Sequence, residues 1–271
     1  MTFTSLADGA RQIVAVSDTA LKAQLAHAVA RAWFAKRLTR YEGRASFVMP
    51  DRPGRPTQPE LRHPRDMPKR SLGGEKGRIA FIHSIAHIEL NAVDMTWDLI
   101  GRFIDQDMPR SYFDDWVRVG LEEAKHFSLL DRRLKDLGSF YGALPAHDGF
   151  WEAAQETGES HLARVAIVPL VLEARGLDVT PAMITRAQSV NDAETAEILG
   201  IIYRDEKRHV SIGMRWFRFL CDRHSLRPEP TFQRLVQLHF RSPLKPPFND
   251  RARSAAGLTP GFYRPLAERI A

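Results

Sequence analysis

The chain has 271 residues, 44% of them hydrophobic and 27% charged, a composition typical of a globular protein that excludes a wholly disordered chain or a collagen-like repeat. Its single cysteine, Cys221, excludes a disulfide framework or a cysteine-based zinc site within one chain. The net charge is +6, and it is concentrated in residues 36–78, where twelve Lys or Arg against five Asp or Glu give +7.

No apolar run approaches the ~20 residues that a membrane-spanning helix needs. Residues 1–16 lack the basic start that a secretion signal requires. We therefore expect a cytoplasmic protein with no membrane partner.

The N-terminal residues 1–40 show helical patterns at 10–18 and 19–38, and Ser17 or Asp18 is the expected N-cap of the second. Residues 41–74 are rich in proline, which removes a backbone N–H and restricts the preceding residue, so neither a helix nor a central strand is expected there. We predict an extended strap. Among its residues are Arg52, Arg55, Arg62 and Arg65.

Such a basic strap can attract phosphate-bearing partners, including RNA, or it can clamp the domain. Acidic residues are interleaved with its arginines, and no aromatic side chain that could stack on a base lies among residues 50–74. The sequence therefore favours the clamp, and tRNA is a partner that it does not favour.

Four long helical patterns follow the strap, at residues 75–104, 109–138, 147–177 and 192–224. Pro169 predicts a kink in the third pattern, and Thr180-Pro181 predicts the start of a short helix after it. The tail, 225–271, predicts a short helix at 231–240 and then an irregular C-terminal arm. Period-2 alternation is missing throughout, so we predict an all-α protein, a single domain over 1–271 with a four-helix bundle in 75–224.

Two copies of Glu-x-x-His lie on the second and fourth of these patterns, and a spacing of three places both side chains on one helix face. A lone glutamate precedes each copy, at 34 residues before Glu123 and 33 before Glu206. The six residues are Glu89, Glu123, His126, Glu173, Glu206 and His209. They form the ligand set of a dimetal carboxylate bundle, two glutamates and two Glu-x-x-His motifs on four helices.

All four glutamates interrupt apolar stripes that predict buried helix faces. A buried, unpaired carboxylate is costly, and divalent cations would remove that cost. Around the ligands we expect a supporting set of polar residues: Glu122, Lys125, Tyr203, Asp205 and Arg208. Glu122 and Asp205 can orient metal-bound imidazoles, and the cations three residues later can pair with them.

Asp205-Glu206-Lys207-Arg208-His209 matches the D-E-x-R-H signature, and Glu122-Glu123-Ala124-Lys125-His126 matches it with conservative changes. On these motifs the chain resembles oxygen-activating members of the ferritin-like superfamily. It is also similar to a bacterial ferritin-like family of unassigned function and, more distantly, to the MiaE-type tRNA hydroxylases. The resemblance implies a ferritin-like four-helix bundle, and it does not specify a substrate.

The leading interpretation is an enzyme, a dimetal oxidase or hydroxylase with two iron ions, two manganese ions or a mixed pair. Carboxylate and imidazole ligands suit these metals. Its substrate would be a small molecule or a modified nucleoside, and a separate reductase would supply electrons. The alternatives are a ferroxidase or other iron-handling protein, and a binding protein that the metal stabilises without catalysis.

Overall fold

A computed structural model of the protein describes residues 3–41, 48–67, 74–240 and 242–267. Every regular element in these ranges is a helix, so the all-α prediction is confirmed. The chain divides into two compact units, Met1–Glu152 and Ala153–Ala271, here called the first and the second unit. No described helix is both long and apolar enough to cross a membrane.

The described part of the first unit contains the α-helices α1 (Leu6–Ala15), α2 (Thr19–Phe34), α3 (Gly74–Arg102) and α4 (Arg110–Asp136), and a 3-10 helix at Pro64–Asp66. The α3 helix packs along α4, while α1 packs on α3 and α2 packs on α4. Asp18 is the N-cap of α2, because its side chain accepts a hydrogen bond from the Leu21 N–H (2.7 Å). A short helix, α5 (Gly149–Glu156), spans the boundary between the units.

The described part of the strap, residues 48–67, packs against the first unit. The Gly54 N–H donates to Val14 O (2.8 Å), and a Cβ at Gly54 would lie 2.1 Å from Ala15 O, so only glycine allows this approach to the end of α1. Trp151 and Arg102 donate to strap carbonyls. The rest of the predicted strap, residues 42–47 and 68–73, lies outside the described residues.

The second unit begins with α6 (His161–Ile167), which continues into a π-helix at Val168–Glu173 and then into α7 (Ala174–Ser189). The prediction of a single helix at 147–177 is therefore wrong. It is broken between α5 and α6, where Ser160 caps the new helix by accepting from Ala163 N–H (3.2 Å). Where the sequence predicts a kink at Pro169, the structure has the π-helix.

Pro181 lies inside α7, so the separate helix predicted at Thr180-Pro181 is also wrong. A proline inside a helix leaves the carbonyl four residues earlier without its usual donor. Here that carbonyl belongs to Leu177, and it accepts a hydrogen bond from Asn249 Nδ2 (3.1 Å). A side chain from the C-terminal arm replaces the missing N–H, which the local sequence could not reveal.

The α8 helix (Ala193–Arg223) packs along α7 and agrees with the predicted pattern. The C-terminal arm is more helical than expected, with α9 (Pro228–His239), α10 (Asp250–Ala255) and α11 (Pro260–Tyr263). Its Phe232, Phe262 and Tyr263 side chains are buried. The ferritin-like bundle, which would combine long helices of both units, stays a prediction.

Candidate metal centre

The first unit brings together the three ligands that the sequence predicts on α3 and α4. Glu123 and His126 lie one turn apart on α4, and Glu89 comes from α3, so helix pairing completes the group. The side chains of Glu123 and His126 are fully buried, and Glu89 is 5% exposed. His126 Nδ1 lies 3.1 Å from Glu89 Oε2 and 3.3 Å from Glu123 Oε2. We call this group the first triad.

The electrostatics of the first triad fit a divalent cation. Two carboxylates and an imidazole are withdrawn from water, and burial of such charges is costly unless they are neutralised. With a proton on Nδ1, the His126 ring donates to both carboxylates. A cation bound to the neutral ring would occupy this position and neutralise both carboxylates at once. The donor set consists of carboxylate oxygens and an imidazole nitrogen without a thiolate, and it could hold a metal ion.

The second unit carries the second triad, Glu173, Glu206 and His209. All three are buried. His209 Nδ1 lies 3.5 Å from Glu206 Oε1, and Glu173 and His209 offer ligand atoms within 4.8 Å of each other. Each unit therefore holds two buried carboxylates and one buried imidazole, as the duplicated sequence pattern predicts.

Glu173 is the last residue of the π-helix. Pro169 and Gly213 explain this irregular turn. Pro169 removes a backbone donor inside the helix, and Gly213 of α8 lets it approach closely, because a Cβ there would lie 2.6 Å from Pro169 Cβ. π-turns are rare and occur frequently at functional sites. Here the π-turn carries a predicted ligand at its end.

The supporting residues predicted around the ligands are placed differently in the two units. Arg208 Nη2 lies 3.3 Å from Asp205 Oδ1, as the i,i+3 spacing indicates. Tyr203 accepts a hydrogen bond from Asn249 Nδ2 (3.1 Å), and Lys207 Nζ lies 4.0 Å from its ring centroid. Glu122 and Lys125 are half-buried on α4. Their roles toward a metal stay predictions.

A polar group that the sequence did not predict centres on His87, two residues before Glu89 and on another face of α3. His87 Nδ1 accepts from the Tyr141 hydroxyl (2.8 Å), and its Nε2 donates to His147 O (2.9 Å). Burial lowers the pKa of His87 to about 3, so the ring is neutral near pH 7. This histidine anchors the loop after α4. The only sequence signal for this role was the four-residue spacing of His83 and His87. The Nε2 of His83 also contacts that loop, where it accepts from the Gly142 N–H.

Comparison with known proteins gives a family and one relative. Residues 15–264 match a family model described as "Protein of unknown function (DUF455)". The chain is 41% identical over 209 residues to an "Uncharacterized protein" of Haemophilus influenzae. The aligned residues cover 75% of this chain and 73% of that protein. No solved structure matches the chain.

Proposed function

The chain belongs to the DUF455 family, and from this premise we propose that its two triads form a ferritin-like dimetal centre that activates oxygen. The observation that carries the proposal is the repetition of one donor set, two carboxylates and an imidazole, buried in each unit at the duplicated sequence positions. Each triad supplies three ligand residues, fewer than the six donors of an octahedral ion such as manganese. Glu89, Glu123, His126, Glu173, Glu206 and His209 would hold the two ions.

The donor chemistry favours iron or manganese, either as a like pair or as a mixed pair. Zinc and copper(I) sites commonly use thiolates, and the only cysteine, Cys221, is not among the six ligands. Burial raises the pKa of the Cys221 thiol to about 11, so it remains protonated near neutral pH. When bound, a pair of such metals supplies electron transfer to dioxygen, with electrons from a separate reductase.

The chain's own residues prepare the site in two ways. Burial of the ligands keeps bulk water away, which strengthens every electrostatic interaction inside the site. The His126 Nδ1 atom already faces both carboxylates of its triad, so the three ligands are arranged around one position. Metal ligands bind in their deprotonated forms, so metal affinity should rise with pH.

The test is metal binding by the whole chain, measured by equilibrium dialysis and elemental analysis with Fe²⁺ under anaerobic conditions. We expect two ions per chain. Glu123→Gln removes one carboxylate charge of the first triad and should weaken binding at least about 100-fold, since a ligand itself is lost. The matched control is Asp131→Asn, which removes a carboxylate from the surface of the same helix, where Lys135 contacts it.

Reaction with oxygen separates the functional alternatives. Stoichiometric oxygen consumption by the Fe²⁺-loaded chain, with both irons oxidised and then reducible by an external electron donor, is the result expected of an oxidase or hydroxylase. Turnover of added Fe²⁺ with release of Fe³⁺ would instead identify an iron-handling protein. Failure to consume oxygen would leave a metal-stabilised binding protein. Fewer than two ions per chain would contradict the dimetal centre.

A further inference from the structure

An aspartate repeats in the same register after both lone glutamates. Asp94 lies five residues after Glu89, and Asp178 lies five residues after Glu173. The side chains of both aspartates are fully buried. Five residues of a helix correspond to a rotation of about 140° beyond one full turn, so each aspartate lies on nearly the opposite side of its helix from the glutamate. The repeat thus concerns the backs of the two ligand-bearing helices.

In the first unit, the Asp94 carboxylate contacts two cationic side chains, Lys22 and Arg55. Lys22 of α2 donates to Asp94 Oδ1 (2.5 Å) and also to the carbonyls of Ile13 and Val14 at the end of α1 (2.9 and 3.1 Å). Arg55 of the strap places its Nη1 3.3 Å from Asp94 Oδ2. Asp94 thereby ties α3 to α1, α2 and the strap.

The guanidinium of Arg55 also reaches a second residue on the same helix. Its Nη2 donates to Asn91 Oδ1 (2.6 Å), one turn before Asp94. Two contacts along one helix face resist rotation better than one. The strap therefore holds α3 from behind the first triad.

In the second unit, Asp178 receives a bidentate arginine from the C-terminal arm. Arg253 Nε and Nη2 donate to the two carboxylate oxygens at 2.8 and 2.7 Å, and the Arg253 residue is 3% exposed. The Asn249 N–H adds a third bond to Asp178 Oδ1 (2.9 Å). This planar fork fixes direction as well as distance, which a lysine cannot do.

Asn249 connects the same arm to both ligand-bearing helices of the second unit. Its Nδ2 donates to Leu177 O, one turn after Glu173, and to the Tyr203 hydroxyl, one turn before Glu206. Its Oδ1 accepts from Ala252 N–H (3.1 Å), which caps α10. The arm is thus bonded to α7 and α8 next to the residues that carry the second triad.

We propose that Asp94 and Asp178 are equivalent positioning residues, each of which sets the rotation of its helix and thereby the direction of the lone glutamate. In both units one partner is an arginine from a proline-containing segment outside the long helices, Arg55 in the strap and Arg253 in the arm. This inference rests on the proposed function, because it assigns the pairs to metal binding. A pair that served folding alone would not need the same register after each ligand.

The test is binding of Co²⁺ to the whole chain at low temperature, followed by visible absorption and by dialysis, with thermal unfolding measured in parallel. Asp94→Asn and Asp178→Asn should each weaken one of the two ions about tenfold, the usual effect of losing a residue that orients a ligand. The double variant should weaken both. Glu197→Gln is the control, because it removes an exposed carboxylate of α8 in the second unit.

Arg253→Lys and Arg253→Met distinguish positioning from general stability. Lysine keeps the charge and loses the fork, so it should retain more Co²⁺ affinity than methionine at equal temperature below unfolding. If an asparagine variant does not fold, the lysine variant carries the test. Variants that unfold at a lower temperature but bind two Co²⁺ ions with wild-type affinity and spectrum would overturn this inference and leave the proposed function standing. A wild-type chain that binds fewer than two ions would overturn the proposed function and the inference with it.

Discussion

The two units present the same ligand chemistry on different backbones. In the first unit, Glu89 lies within an uninterrupted α-helix of 29 residues, and its triad is completed by the paired helix α4. In the second unit, Glu173 is the last residue of a six-residue π-helix that has Pro169 near its start. The two units therefore share the donor set and its burial. They differ in the local backbone that carries the lone glutamate.

The segments that hold the ligand-bearing helices also differ in chain position. The first unit uses the strap, which precedes its ligands in sequence, and the second uses the arm, which follows them. Both segments reach a buried aspartate with an arginine. Their roles can therefore be compared directly by experiment.

The largest expected effect concerns the strap. Arg55→Ala should lower the free energy of unfolding by about 3 kcal/mol, because it leaves Asp94 with one cation instead of two and removes the bond to Asn91. Arg52→Ala should cost under about 1 kcal/mol, since Arg52 is an exposed partner of Asp148. Denaturant unfolding measures both values. Similar losses for the two variants would contradict the buried clamp.

The same strap variants test the unfavoured nucleic-acid partner. Combined replacement of Arg52, Arg55 and Arg62 by alanine should lower thermal stability and leave tRNA binding unaltered. Salt-sensitive tRNA binding by the wild type that disappears in the triple variant would reverse this expectation, because released counterions are the signature of phosphate contacts.

A smaller effect is expected at the π-turn. Gly213→Ala places a methyl group 2.6 Å from Pro169 Cβ and should cost about 2 kcal/mol of stability through overpacking. Gly120→Ala in α4 is the matched change, since its Cβ would lie 2.7 Å from Trp97 Nε1. Both should lower the melting temperature. If the π-turn places Glu173, only Gly213→Ala should also weaken metal bound by the second triad.

The smallest effect is a dependence on pH that both units share. Burial lowers the pKa of His87 to about 3 and that of His161 to about 4. Both values lie below the unfolded pKa of about 6.5, so the unfolded chain binds more protons, and stability falls as pH drops from about 6.5 toward the folded values. Each histidine should cost about 0.7 kcal/mol between pH 7 and pH 6.

Replacement by glutamine tests this shared acid sensitivity. His87→Gln and His161→Gln should each flatten the pH dependence of unfolding in that range, while stability above pH 7 changes by a constant amount. An unchanged slope in either variant would show that the corresponding histidine does not lose its proton on folding.

Much of the candidate site could be predicted because its signals are local. The i,i+3 spacing of Glu123 and His126 places both on one face of any helix, and the apolar residues around them indicate burial. The prediction failed where one residue depends on a distant one. Pro181 starts no helix, and Asn249 supplies the donor that the proline lacks. Asp94 and Asp178 share a register after the lone glutamates in the sequence, but no local pattern indicates that both are buried.

The sequence by itself determined the all-α class, the two Glu-x-x-His motifs and which helix faces are apolar, because helical periodicity acts over a few residues. Only the tertiary structure decided that Glu173 ends a π-helix and that Arg55 and Arg253 reach buried aspartates. These features depend on contacts between segments tens of residues apart. Such contacts form when apolar faces pack, and no local pattern encodes which polar side chains are then buried together.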